Sequence, residues 1–133
     1  MLFRSTVRAL VERARALGLF VLLEAFDRAD LERLAPFDVP ADGGPPVLAG
    51  VNCRDLRDLN VRFSRFVELA PFLPTHLPTV AESGIGTADD IRTVAGAGYR
   101  LALIGSSLMR AKDPGAALAA LVAAGRARAA EKR

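Results

Sequence analysis

The chain has 133 residues, 51% hydrophobic and 25% charged, which is enough apolar material for one core and too little length for two. Its net charge of +3 comes from scattered arginines, Lys112 and Lys132 being the only lysines, and no basic stripe or aromatic interleaving accompanies them, which argues against nucleic acid as a partner. A single cysteine, Cys53, and a single histidine, His76, exclude an internal disulfide and leave no zinc set, and no apolar run reaches the roughly eighteen residues of a membrane span.

In chain order, the first predicted element is a helix over Ser5 to Leu17. Leu2, Val7, Leu10, Val11, Ala14 and Leu17 fall on one face, and Gly18 stands where a C-cap would. The stretch is arginine-rich like a transit peptide, but Glu12 interrupts it and a strand follows at once, so a helix of the fold and a cytoplasmic location are expected. A strand over Phe20 to Glu24 and a short helix over Arg28 to Leu34, with Asp27 as N-cap, come next. Phe37 to Pro46 carries three prolines and two glycines and reads as a surface loop. The second strand is Val47 to Asn52, followed by a helix over Ser64 to Leu69 that stops at Pro71. Strand three is Thr79 to Glu82. Its helix starts at Thr87, where Thr87-Ala88-Asp89-Asp90 approximates a capping box, and runs to Ala95 before Gly96 and Gly98. Strand four is Leu101 to Ile104, and Asp113-Pro114 opens a last helix with an N-cap and a proline at the first helical position.

The four strands share a form: an apolar run that stops on a small or polar residue. Near-continuous apolar runs alternating with helices predict buried parallel strands joined by right-handed crossovers, an α/β fold. Such folds carry their chemistry at the C-terminal ends of the strands. Four units are half of a closed eight-unit barrel, which typically needs about 250 residues. Residues 1–125 therefore read as one half-barrel domain, and residues 126–133 as a charged tail.

The strand ends hold distinct chemistry. Ser83-Gly84-Ile85-Gly86 and Gly105-Ser106-Ser107 put small residues straight after the third and fourth strands, where backbone N–H groups approach an anion unobstructed. In barrels of this class the loops after the last two strands, with the N-terminus of a short extra helix, form a phosphate site; tight turns alone would also use such glycines. Glu24 and Glu82 close apolar runs, where a carboxylate is costly to bury unless paired or needed, and either can serve as a general acid or base; a solvated strand end is the simpler alternative for each. Asn52 and Arg54, two residues apart, can point to one side with Cys53 turned away, offering a neutral donor and acceptor and a fork for a carboxylate or phosphate.

At these residues a resemblance becomes specific. Leu22-Leu23-Glu24, Gly50-Val51-Asn52-Cys53-Arg54-Asp55-Leu56, Ala81-Glu82-Ser83-Gly84-Ile85 and Ile104-Gly105-Ser106-Ser107-Leu108-Met109 resemble, in order and spacing, the strand-end motifs of indole-3-glycerol-phosphate synthases. The resemblance runs from the helix before strand five to the helix after strand eight, and implies the C-terminal half of a TIM (βα)8 barrel preceded by a helix. It implies a lyase of tryptophan biosynthesis that closes the indole ring of carboxyphenylamino-deoxyribulose phosphate with loss of carbon dioxide and water, without a cofactor. Glu24 would be the strand-five catalytic carboxylate. Asn52 and Ser83 would position substrate, with Arg54 and Glu82 nearby, and Gly84, Gly105 and Ser106 would hold the phosphate through backbone N–H groups.

Departures accompany the matches. The family's general-acid lysine on strand three, with a further glutamate and lysine near strand one, precedes the matched region, and neither Lys112 nor Lys132 stands where it could replace them. Phe26, Cys53 and Arg62 replace residues that are commonly polar, Asn or Ser, and acidic. A four-strand sheet also has two open edges. An N-terminal half-barrel partner would restore the site, a homo-oligomer would restore a barrel-like core without the lysine, and a gene fragment would have no independent function; a non-catalytic phosphate-binding or self-associating half barrel is the other reading.

Overall fold

The computed structural model describes residues 2–131, and side chains from Ser5 onward. Helix α1 (Leu2–Ala16) leads into β1 (Val21–Ala25), α2 (Arg28–Arg33) and β2 (Val47–Asn52). Helix α3 (Arg65–Leu69) runs into a 3-10 turn (Ala70–Phe72), and β3 (Thr79–Glu82), α4 (Ala88–Ala97) and β4 (Leu101–Leu103) follow. Helices α5 (Ser106–Arg110) and α6 (Pro114–Ala130) complete the described chain. The strands form one parallel sheet in the order β1-β2-β3-β4, as expected of half a TIM barrel.

Alternation along the strands sorts the sheet into two faces. Ala25, Val47, Ala49, Val51, Cys53 and Ala81 turn toward the helices and are fully buried. There they meet Leu31, Phe66, Ile91, Val94 and Leu121, one contiguous core between sheet and helices. Phe66 stacks edge-on against Phe63 and Tyr99, and the Tyr99 hydroxyl donates to the Phe66 carbonyl at 3.0 Å, so the buried phenol is satisfied. The opposite face carries Leu22, Glu24, Gly50, Asn52, Glu82 and Leu103, in register across the strands.

The capping signals act as the sequence suggests. Asp27 accepts from Asp30 N, Asp113 from Ala116 N, and Thr87 with Asp90 forms a full capping box. Gly18, at φ +73°, turns the chain from α1 into β1. Several boundaries differ from expectation. The first strand begins at Val21, whose N–H reaches Pro46 O as pairing with β2 opens; Phe20 lies outside the ladder and is 63% exposed. The last strand ends at Leu103 because its partner Glu82 is the final ladder residue of β3. Helix α4 passes through Gly96, packed 3.5 Å from Arg128 Nε when given a Cβ, and ends only at Gly98, φ +107°. Helix α5 is an element the sequence reading did not separate. Helix α6 continues through residues 126–130; Lys132 and Arg133 lie outside the described residues.

Candidate functional site

The C-terminal strand ends bring four predicted residues into one cluster. Asn52 Nδ2 donates to Glu24 Oε2 at 3.1 Å, and Asn52 Oδ1 accepts from Ser83 Oγ at 2.9 Å and from Arg54 N at 2.9 Å. With its oxygen occupied by two donors, the Asn52 amide has one orientation, its nitrogen toward the carboxylate. A line Glu24–Asn52–Ser83 thus crosses three strands.

Glu82 stands beside this line. It is 2% exposed, and its Oε1 makes no hydrogen bond among the described residues. Burial, then the neighbouring charge of Glu24 and a hydrogen bond with it, push the Glu82 carboxyl up to about 7. A buried carboxyl held toward its protonated form can give a proton to a group bound beside it. The room for Glu82 comes from Gly50: a Cβ there would collide with Glu82 Oε1 and lie 3.0 Å from Leu22 Cδ1. Sequence reasoning did not assign Gly50 a role; a glycine inside an otherwise apolar strand was its signal.

Ser83 and Gly84 both have left-handed backbone, φ +70° and +78°. For a serine this conformation is strained, of the order of 1 kcal/mol, and it delivers the Ser83 hydroxyl onto Asn52. Gly84 is required twice, by its φ and because Val61 Cγ1 lies 2.5 Å from where a Cβ would be. Val61 belongs to a small hairpin, bridged to Arg54, that folds over this turn. The turn also lies against the start of α5: Ser107 Oγ donates to Ile85 O at 3.1 Å, and a Cβ on Gly86 would sit 3.4 Å from Ser107 Cβ. Gly105 caps α5 with open space around it, and Ser106 is the first helical residue. The two glycine turns are thus neighbours, and helix starts leave N–H groups without helical partners.

Arg54 joins the cluster through its backbone, while its guanidinium donates to Leu59 O at 2.9 Å in the hairpin. Cys53 is turned away into the core as the alternation requires, and burial pushes its thiol up to about 12, which removes it as a nucleophile. Arg65, which the sequence reading passed over, is buried behind Asn52 and donates to its carbonyl at 2.7 Å. Between α1, β1 and α2 a groove of about 490 Å³ reaches Glu24. Among the described residues no three His, Cys, Asp or Glu are placed to hold a metal ion, and no helix is long and apolar enough to cross a membrane.

The family model "Indole-3-glycerol phosphate synthase" matches residues 1–121. A protein of that name from Streptomyces griseus is 44% identical over 117 residues, covering 88% of this chain and 41% of that protein. One from Variovorax paradoxus is 44% identical over 108 residues, covering 81% and 38%. The chain therefore spans about two fifths of the length of the relatives it matches, in their C-terminal part. Among solved structures, a crystal structure of the Amycolatopsis orientalis BexX/CysO complex is similar with a TM-score of 0.58 at 24% identity, over 89% of this chain and 47% of that one. That likeness concerns the fold.

Proposed function

The chain belongs to the indole-3-glycerol phosphate synthase family, and from that premise we propose that its strand ends are one half of that family's ring-closing site. The substrate is a sugar phosphate, carboxyphenylamino-deoxyribulose phosphate, and the reaction is a lyase step of tryptophan biosynthesis, in the cytoplasm, with loss of carbon dioxide and water and no cofactor. Gly84, Gly105 and Ser106 hold the phosphate through backbone N–H groups. Glu24 does acid–base work on the closing ring, Asn52 and Ser83 hold the substrate against it, and Arg54 and Glu82 meet its polar groups. Ring closure needs a fixed phosphate handle, a proton donor at the carbonyl and a base for rearomatisation. The observation that carries the reading is the hydrogen-bonded line Glu24–Asn52–Ser83 beside the buried Glu82.

The proton-donating lysine comes from the complementary four-strand half, in the same polypeptide or as a separate one. Mixing the chain with a strand-one-to-four fragment of a relative is expected to produce indole-3-glycerol phosphate. A mixture in which both parts are folded and associated yet show no turnover rejects the reading. One observation favours a second, a self-associating, non-catalytic phosphate-binding half barrel: Leu101 and Leu103 are 47% and 57% exposed beside the open edge of β4. Turnover in the mixture separates the two.

A further inference from the structure

Arg65 is the first residue of α3, where the positive end of the helix dipole disfavours a cation. It is also only 8% exposed, and burying a guanidinium is costly unless it is well bonded. None of the ion pairs within 4.0 Å among the described residues includes it. Its Nη1 instead donates to a main-chain oxygen thirteen residues away, Asn52 O, at 2.7 Å. That carbonyl is where β2 ends and the site begins. Beyond it the chain turns into the hairpin, with Cys53 N donating to Glu82 O and Arg62 N to Cys53 O, each at 2.8 to 2.9 Å. The peptide that Arg65 grips is thus the root of the Asn52 side chain, and that side chain spans Glu24 and Ser83.

We infer that Arg65 is a positioning residue, which by holding the Asn52 carbonyl fixes the Asn52 side chain between Glu24 and Ser83. A charge-assisted hydrogen bond in a buried place is among the stronger single contacts a protein makes, and losing the donor leaves a buried carbonyl unpaired. The position explains why a cation is kept at a helix start that disfavours it. As a contribution to catalysis the inference rests on the ring-closing reading above; as a statement about Asn52 it does not.

The test reads the chain itself. Asn52 Nδ2 donates to Glu24, so replacing that carboxylate by Glu24→Gln shifts the Asn52 side-chain amide resonances, and this shift is the response read in each background. Arg65→Met is expected to lose at least about half of this response, because the bond no longer forms. Arg65→Lys, which keeps the charge and a donor, is expected to retain it. Phe66→Leu, a core change next door that loosens the fold without touching Asn52, is the control and is expected to retain it too. A wild-type response in folded Arg65→Met overturns the inference, as does an equal loss in Phe66→Leu. Where Arg65→Met does not fold, Arg65→Leu replaces it, and equal responses from Leu and Lys overturn the inference. In the mixture with the complementary half, Arg65→Met is expected to lower kcat by about tenfold with KM little changed. If wild-type chain gives no turnover there, the ring-closing reading fails while the amide response still decides Arg65.

Discussion

The two central strands and the two edge strands differ in kind. In β3 every residue is buried, and in β2 all but Leu48, whereas β4 is exposed along its length and β1 only half covered. The central strands end in Asn52 and Glu82, and the turn after β3 holds Ser83 and Gly84. The edges contribute Glu24 on one side and Gly105 with Ser106 on the other. A groove of about 720 Å³ runs beside β4, lined by Leu101, Ile104, Leu118 and Val122. Where strands have neighbours on both sides burial is nearly complete and Asn52 is fully bonded, while Glu82 Oε1 is left without a partner among the described residues. Glu24, Asn52 and Ser83 thus meet within the four-stranded sheet itself, and what stays exposed is the outer part, β4 and half of β1.

The largest expected effect tests whether Glu24, on an edge strand, works with the central cluster. In the mixture with the complementary half, Glu24→Gln should lower turnover by roughly a hundredfold or more, as removal of a general acid or base does. Steady-state rates check this, and near-normal turnover breaks the link between edge and centre. Next in size is the core behind the central strands. Phe66→Ala, at a fully buried ring, should cost about 3–5 kcal/mol by denaturant unfolding.

Glu82 ties the same comparison to pH. An ordinary glutamate ionises near 4.5 and Glu82, when folded, near about 7. The folded state therefore holds the proton more tightly. The stability this contributes is full below pH 4.5 and is lost as pH rises through about 7, on the order of 3 kcal/mol. Glu82→Gln should flatten that fall in unfolding curves taken from pH 4 to 8; an unchanged slope would place the pH dependence elsewhere. Gly50→Ala should cost about 1–3 kcal/mol by overpacking against that carboxyl. Combining it with Glu82→Ala should recover part of the loss, which thermal unfolding of the double variant measures. The smallest effect belongs to the edge: Leu103→Ala, 57% exposed, should move the stability of the isolated chain by no more than about 0.5 kcal/mol.

The same contrast governs what could be read from the sequence. The bounds of β2 and β3 were legible to the residue because both run from one buried end to the other and stop at a polar side chain. At the edges the apolar run outlasts the ladder: Phe20 and Ile104 extend the hydrophobic pattern, but the strands end where their neighbours do. Helix α5, five residues long, is too short to show a period. The strand-end residues were legible from their types and order, and the joining of Glu24, Asn52 and Ser83 was not, since it depends on register between strands. Nor was the Gly50–Glu82 contact, which needs two strands at once, or Arg65, whose partner is a main-chain carbonyl that no side-chain pattern reveals.

On the proposed reading, Gly84, Gly105 and Ser106 grip the phosphate from the four-stranded sheet alone. The most direct test is a titration of the isolated chain with inorganic phosphate followed by backbone amide shifts. Saturable shifts at Gly84, Gly105 and Ser106, with none at Gly43 and Gly44 in the loop between α2 and β2, are the predicted result. Amides at Gly84, Gly105 and Ser106 that stay unmoved while the chain remains folded would contradict it.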